Sequence, residues 1–139
     1  MKAVILVAGE GKRLKPVTSS LPKPMIPLAG RPLLEYNLLG LKNAGIEDVL
    51  LIVGYKKEII QEYFGNGREK VGLNVNYKTQ DEYLGTAHAT GFAKSFVKDD
   101  NFLMMYGDLL INPDIFKEII HEYKDKKVEG LISLIEVLL

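Results

Sequence analysis

Short runs of uninterrupted apolar residues alternate along this chain with longer stretches in which apolar residues recur every three or four positions. KAVILV at 2–7, DVLLIV at 48–53 and FLMMY at 102–106 belong to the first kind, and their length and branched content predict buried strands. LNVNY at 73–77 alternates and predicts a further strand. Leu34, Leu38 and Leu41 fall at helical spacing until Gly45. Ile59, Ile60, Tyr63 and Phe64 predict a short helix that Gly65-Asn66-Gly67 ends. One helix is expected from about Thr86 to Val97, and another opens at Pro113 with Ile115, Phe116, Ile119, Ile120 and Tyr123 facing inward. LISLIEVLL, 131–139, reads as the start of a fifth strand with no cap or polar tail after it. The expectation there is a chain that stops inside its sheet; an ordinary buried terminal strand is the alternative.

Strands that alternate with helices imply crossover connections and a mainly parallel sheet with helices on both faces, an α/β architecture. At 139 residues, 47% of them hydrophobic and 26% charged, one domain can bury a real core. Repeats, low-complexity tracts and linkers are absent from the sequence. Eighteen basic residues balance eighteen acidic ones, so no global field draws nucleic acid or a membrane surface. The absence of cysteine removes disulfides, thiolate metal sites and a thiol nucleophile. The opening apolar run is too short for a signal-peptide core, and none approaches the roughly 20 residues of a membrane span. A cytoplasmic protein is expected.

Local charge is another matter. Five bases (Lys12, Arg13, Lys15, Lys23 and Arg31) fall between 12 and 31 with no acid among them, and the same region holds or adjoins five of the six prolines. This segment begins where the first strand delivers Gly9-Glu10-Gly11. Ligands of open parallel sheets lie beyond the carboxyl ends of the strands, and glycines there let backbone N–H groups converge on an oxyanion. Two familiar phosphate loops fail the spacing test. The dinucleotide fingerprint needs a glycine where Leu14 stands, and Gly11-Lys12 is followed by Arg13 where the Walker loop needs serine or threonine. What remains is Gly-x-Gly-x-Arg, then Pro16, then Lys23-Pro24. Arg13 offers a planar fork to phosphate oxygens and Lys23 a compact charge. The prolines are expected to brace this excursion without secondary structure. A solvated basic loop is the plain alternative.

LVAGEGKRLKPVTSSLPKPMIPLAGRPLLEY, followed in order by GIEDVLLIVGY, QDEYLGTAHA and MYGD, resembles the signature of the sugar-phosphate nucleotidyltransferases. The resemblance covers nearly the whole chain. It implies a Rossmann-like domain that joins a nucleoside triphosphate to a sugar 1-phosphate and releases pyrophosphate. On it, Arg13 and Lys23 carry catalysis, and Ala8, Gly9, Gly11 and Lys12 hold nucleotide. Lys12 stands where most members have threonine or serine, which keeps the anion site and puts the hydroxyl's role in question.

Gln80 precedes Leu84-Gly85-Thr86 by four residues. A glutamine amide both donates and accepts, matching the O4 and N3–H edge of uracil or thymine. Gly85 would let the backbone approach the ring, and Thr86 is expected to cap the next helix. The resemblance assigns Gln80, Gly85 and Thr86 to nucleotide binding and favours UTP or dTTP over GTP. His88 is expected to pack or cap, and His121 to face solvent; neither fits a zinc pattern. Asp108 follows the strand 102–106, on the same edge as Gly9. A turn cap is its plain reading; the resemblance makes it a magnesium ligand, and magnesium favours oxygen donors shared with phosphate and water.

The sugar-binding second half of such a domain is expected to be missing, so that 1–139 is its N-terminal nucleotide-binding part with little turnover of its own. An unfinished edge strand predicts a homo-oligomer. Three alternatives stand beside this reading: a non-catalytic nucleotide-binding relative, a GTP-using mannose-1-phosphate guanylyltransferase, and a plain doubly wound domain whose basic loop docks an acidic partner. The nucleotidyltransferase reading requires positions 11, 13, 23 and 108 to gather around one hollow.

Overall fold

The computed structural model describes residues 1–82, 84–126 and 128–133, with Arg13 described through its backbone. Its elements in chain order are β1 (Lys2–Val7), a two-strand hairpin of β2 (Pro27–Leu28) and β3 (Arg31–Pro32), α1 (Leu33–Asn43), β4 (Asp48–Val53), α2 (Lys57–Phe64), β5 (Asn74–Thr79), α3 (Thr86–Gly91), α4 (Lys94–Val97), β6 (Phe102–Tyr106) and α5 (Pro113–Lys126). β1, β4 and β6 have the bounds expected from their apolar runs. Burial on both faces accounts for this in β1 and β4; β6 is an edge strand of the described sheet whose Phe102, Met104 and Tyr106 are exposed despite its apolar run.

The main sheet has the order β5-β4-β1-β6, and all three pairings are parallel. Side-chain alternation splits the core into two layers. Ala3, Ile5, Val7, Val49, Leu51, Val53, Leu103 and Met105 pack with α1, α2 and α5, whereas Val4, Leu50 and Ile52 face Ala89 of α3, Ala93 between the two helices and Val97 of α4. Helices therefore cover both faces, as expected. Phe116 of α5 is 1% exposed and presses on α1 so closely that a Cβ at Gly40 would lie 2.7 Å from its Cε2.

Three expectations are corrected. The helix at 86–97 is broken in two. Thr90 Oγ1 donates back to the Thr86 carbonyl at 2.8 Å, and the N–H groups of Phe92 and Ala93 reach carbonyls only three residues behind. Such back-bonding bends a helix, and Gly91 offers little resistance. β5 begins and ends later than the alternation suggested, because its register follows β4: Asp48 pairs with Asn74 and Val53 with Thr79. The proline-rich segment is structured. It holds three short 3₁₀ turns (Lys12–Leu14, Val17–Ser19 and Lys23–Met25) and then the hairpin. Leu131 to Ser133 carry no regular element, and the rest of the expected fifth strand, 134–139, lies outside the described residues.

Truncating Phe116 to alanine should cost about 3–5 kcal/mol, the range for a buried aromatic in a core that collapses incompletely. Urea denaturation of the Phe116→Ala variant measures it, and a loss under 1 kcal/mol would show that α5 is not docked as described.

Candidate active site

The chain runs from β1 to β4 to β5 in one direction, then returns to place β6 on the other side of β1. The reversal leaves a crevice at the carboxyl ends of β1 and β6, the place where open parallel sheets take ligands. A cavity of about 290 Å³ lies there. One wall carries Gly9, Gly11, Lys23 and Asp108; the other carries Gln80, Gly85, Thr86 and Tyr106.

Two glycines shape the first wall. Gly11 has φ +64°, a left-handed conformation that turns the chain away from β1. Its carbonyl accepts from the Thr18 hydroxyl at 3.0 Å, and Thr18, wholly buried, pins the loop back onto its own start. Gly107 extends the β6 ladder, its N–H donating to the Leu6 carbonyl at 3.0 Å. A Cβ there would collide with Val7 Cγ1 and lie 3.0 Å from Ile5 Cγ2. Glycine thus lets Asp108 leave the sheet hard against β1.

Asp108 Oδ2 accepts from Lys23 Nζ at 2.7 Å, joining the end of β6 to the third turn of the proline-rich loop. Asn37, wholly buried on α1, stabilises the segment that follows: its Nδ2 donates to the Leu109 carbonyl at 2.7 Å, and its Oδ1 accepts from the Ile111 N–H at 3.3 Å. Sequence reasoning passed over Asn37. The signal was an amide inside the Leu34–Leu38–Leu41 stripe. Tyr106 is a second residue outside the sequence-based expectations; it lines the cavity, and its signal was its place two residues before Asp108. Its hydroxyl lies 3.3 Å from Thr86 Oγ1.

Ala8, Gly9, Gly11, Lys23, Gln80, Gly85, Thr86 and Asp108 line the cavity together. Lys12 does not. Its Nζ lies 3.4 Å from Glu10 Oε2, which Lys15 also approaches, at 3.1 Å from Oε1. The Lys15 hydrogen bond, reinforced by Lys12, holds the Glu10 carboxyl below the usual carboxylate range. Arg31 pairs with Glu35 at 3.4 Å. Four of the five loop bases therefore have acidic partners, and Lys23 is the one among those four that faces the cavity. The backbone of Arg13 belongs to the turn Lys12–Leu14.

On the second wall, Gln80 is 5% exposed, and its N–H donates to the Val53 carbonyl at 2.8 Å. The expected Thr86 cap is corrected: Gly85 is the N-cap of α3, no side chain caps it, and Thr86 is the first helical residue, its hydroxyl turned to Tyr106. His88 packs edge-on against Phe92, with ring centroids 5.1 Å apart. His121 is exposed. Among the described residues no three acids or histidines cluster to cage a metal. Asp108 by itself suits a divalent ion that takes its remaining ligands from phosphate and water.

Residues 2–138 match the family of nucleotidyl transferases. The chain belongs to that family. This nucleotidyl transferase chain is 44% identical over 122 residues to the bifunctional protein GlmU of Methanococcus maripaludis, covering 88% of itself and 28% of the relative. It is 43% identical over 117 residues to the D-glycero-alpha-D-manno-heptose 1-phosphate guanylyltransferase of Aneurinibacillus thermoaerophilus, covering 84% of itself and 50% of that protein. A UTP-bound UGPase from Acinetobacter baumannii superimposes with a TM-score of 0.81 at 29% identity, over 91% of this chain and 53% of that one. The chain thus spans between about a quarter and a half of these relatives. The Rossmann-like architecture expected from the resemblance is the one observed.

Gly107→Ala should lose roughly 1–3 kcal/mol of stability, because the methyl must displace β1 side chains. Gly9→Ala meets nothing within 4 Å and should unfold nearly like the parent. Thermal melts of the two variants test this; equal losses would remove the close approach of Gly107 to β1.

Proposed function

We propose that this chain forms the nucleotide-binding part of a sugar-1-phosphate nucleotidyltransferase. The observation that carries the reading is the crevice itself, where the Lys23–Asp108 pair, Gln80 and Gly85 line one hollow. A triphosphate needs a cation beside it, and a base needs a group that both donates and accepts. The two walls offer these in turn.

In this reading the phosphate oxygen of a sugar 1-phosphate attacks the α-phosphorus of the nucleotide. A new phosphorus–oxygen bond forms, the bond to the β-phosphate breaks, and pyrophosphate leaves with the electron pair. No strong general base is required, because the attacking phosphate is already ionised. Two anions must still be brought together, which costs several kcal/mol in a low-dielectric site unless opposed. Lys23 opposes it by exchanging the Asp108 carboxylate for phosphate oxygens, and Arg13 adds a second donor fork from the turn that follows Gly11. Asp108, released from Lys23, is the residue that would hold magnesium. When bound, the ion would neutralise phosphate charge. The backbone at Gly9 and Gly11 supplies uncharged donors.

Gln80 supports UTP or dTTP as the nucleotide, since its amide suits a uracil or thymine edge. The heptose 1-phosphate guanylyltransferase among the relatives keeps GTP as the second reading. Calorimetric titration with UTP, dTTP and GTP in the presence of magnesium decides between them.

Lys23→Ala should weaken UTP binding by roughly tenfold, as loss of a charge-assisted contact does. In a complete enzyme that carries this part, with a sugar 1-phosphate added, pyrophosphate release should fall far more than thermal stability. Unchanged affinity and rate in Lys23→Ala would sink the assignment of the cavity to the triphosphate.

A further inference from the structure

The one described side-chain hydrogen bond of Gln80 runs from Nε2 to Nδ1 of His88, at 3.3 Å. Gln80 is 5% exposed, and His88 is half-buried against Phe92. A glutamine amide has nearly the same shape when its oxygen and nitrogen are exchanged, so its neighbours choose the orientation. A neutral imidazole protonated on Nε2 offers only a lone pair at Nδ1. Facing that lone pair, the amide must present an N–H. Presenting the carbonyl instead would set two lone pairs against each other.

We propose that His88 is a positioning residue that fixes the Gln80 amide with Nε2 toward α3 and Oε1 toward the cavity, and so makes the site prefer a base edge bearing an imino N–H. This rests on the nucleotide-binding reading above and deepens it. A base held in one register against Gly85 meets Gln80 through its ring position 3. In uracil and thymine that position is an N–H, which Oε1 accepts, while the second amide hydrogen reaches O4. In cytosine it is a bare nitrogen, which repels Oε1. Discrimination between bases of equal size then comes from a residue that touches no nucleotide. The spacing within QDEYLGTAHA serves this end: Gln80 directly follows β5, and His88 is the third residue of α3, eight positions on.

The test compares UTP with CTP, each with magnesium, in calorimetric titrations of the parent chain, His88→Phe and His88→Asn. Phenylalanine keeps the packing on Phe92 and removes the lone pair; asparagine places an acceptor near the Nδ1 position. The UTP-to-CTP affinity ratio should fall by roughly tenfold in His88→Phe, the scale of one lost hydrogen bond. It should stay near the parental value in His88→Asn, with melting temperatures close to the parent in both. A ratio that His88→Phe leaves intact overturns the proposal. Nitrogen-15 spectra of the ligand-free parent give a second readout. The expected pattern has His88 protonated on Nε2 and a Gln80 side-chain amide proton hydrogen-bonded to Nδ1; a proton on Nδ1 overturns the proposal whatever the titrations show. A parent chain that binds neither nucleotide would instead defeat the nucleotide reading, and base selection with it, while the spectra would still decide whether the amide is locked.

Discussion

β1 is hydrogen-bonded to a parallel strand along each edge and buried on both faces, and the site follows from that placement. Because β4 and β5 lie to one side and β6 to the other, the chain must separate at the carboxyl end of β1. The gap cannot be filled by a crossover helix, since the two crossovers depart in opposite directions. A crevice is therefore built into the topology. Its floor is strand ends, whose backbone is held by neighbours rather than by loop chemistry. Gly107 shows how tightly: it continues the ladder so close to Val7 and Ile5 that no larger residue has room.

The loop that crosses this crevice looks like a concentration of positive charge when read along the chain. In three dimensions most of that charge is answered. Glu10 lies between Lys12 and Lys15, Glu35 pairs with Arg31, and Asp108 with Lys23. These pairs are mostly exposed and screened by water, so they add little to stability. Their consequence is selectivity of position. Among the four bases with described side chains, Lys23 alone lines the cavity, and it faces a carboxylate there. The buried residues Thr18 and Met25 and the side chains of Tyr55 and Lys56, which donate to the Thr18 and Ser19 carbonyls, hold the loop in this arrangement.

The second wall works by a different kind of restraint. Gln80 is nearly sealed from solvent, so its amide cannot average over orientations as a surface glutamine does. Its described side-chain hydrogen-bond partner, His88, comes from α3. The break after Gly91 keeps that helix short, and α4 continues the cover over Val4, Leu50 and Ile52 in a separate piece.

Much of this was legible in the residues alone. Burial on both faces leaves an unbroken apolar run, so β1 and β4 could be bounded to the residue. β6 reads alike although Phe102, Met104 and Tyr106 are exposed on this edge strand of the described sheet, and alternation with helical spacing indicated a parallel sheet. The order of motifs pointed to the strand ends that line the cavity, at Gly9, Gly11, Gln80, Gly85 and Asp108. Partners were another matter, because a hydrophobic pattern records how deeply a residue is buried and not what it meets. The Lys23–Asp108 contact joins positions 85 apart and exists because β6 pairs with β1. Lys12 turning to Glu10, Asn37 clamping the segment after Asp108, and Gly85 rather than Thr86 opening α3 are outcomes of packing and local backbone geometry that no spacing rule contains. Composition and periodicity determined the layers; only the folded chain decided which polar group stands opposite which, since that depends on strand order and helix docking across the whole domain.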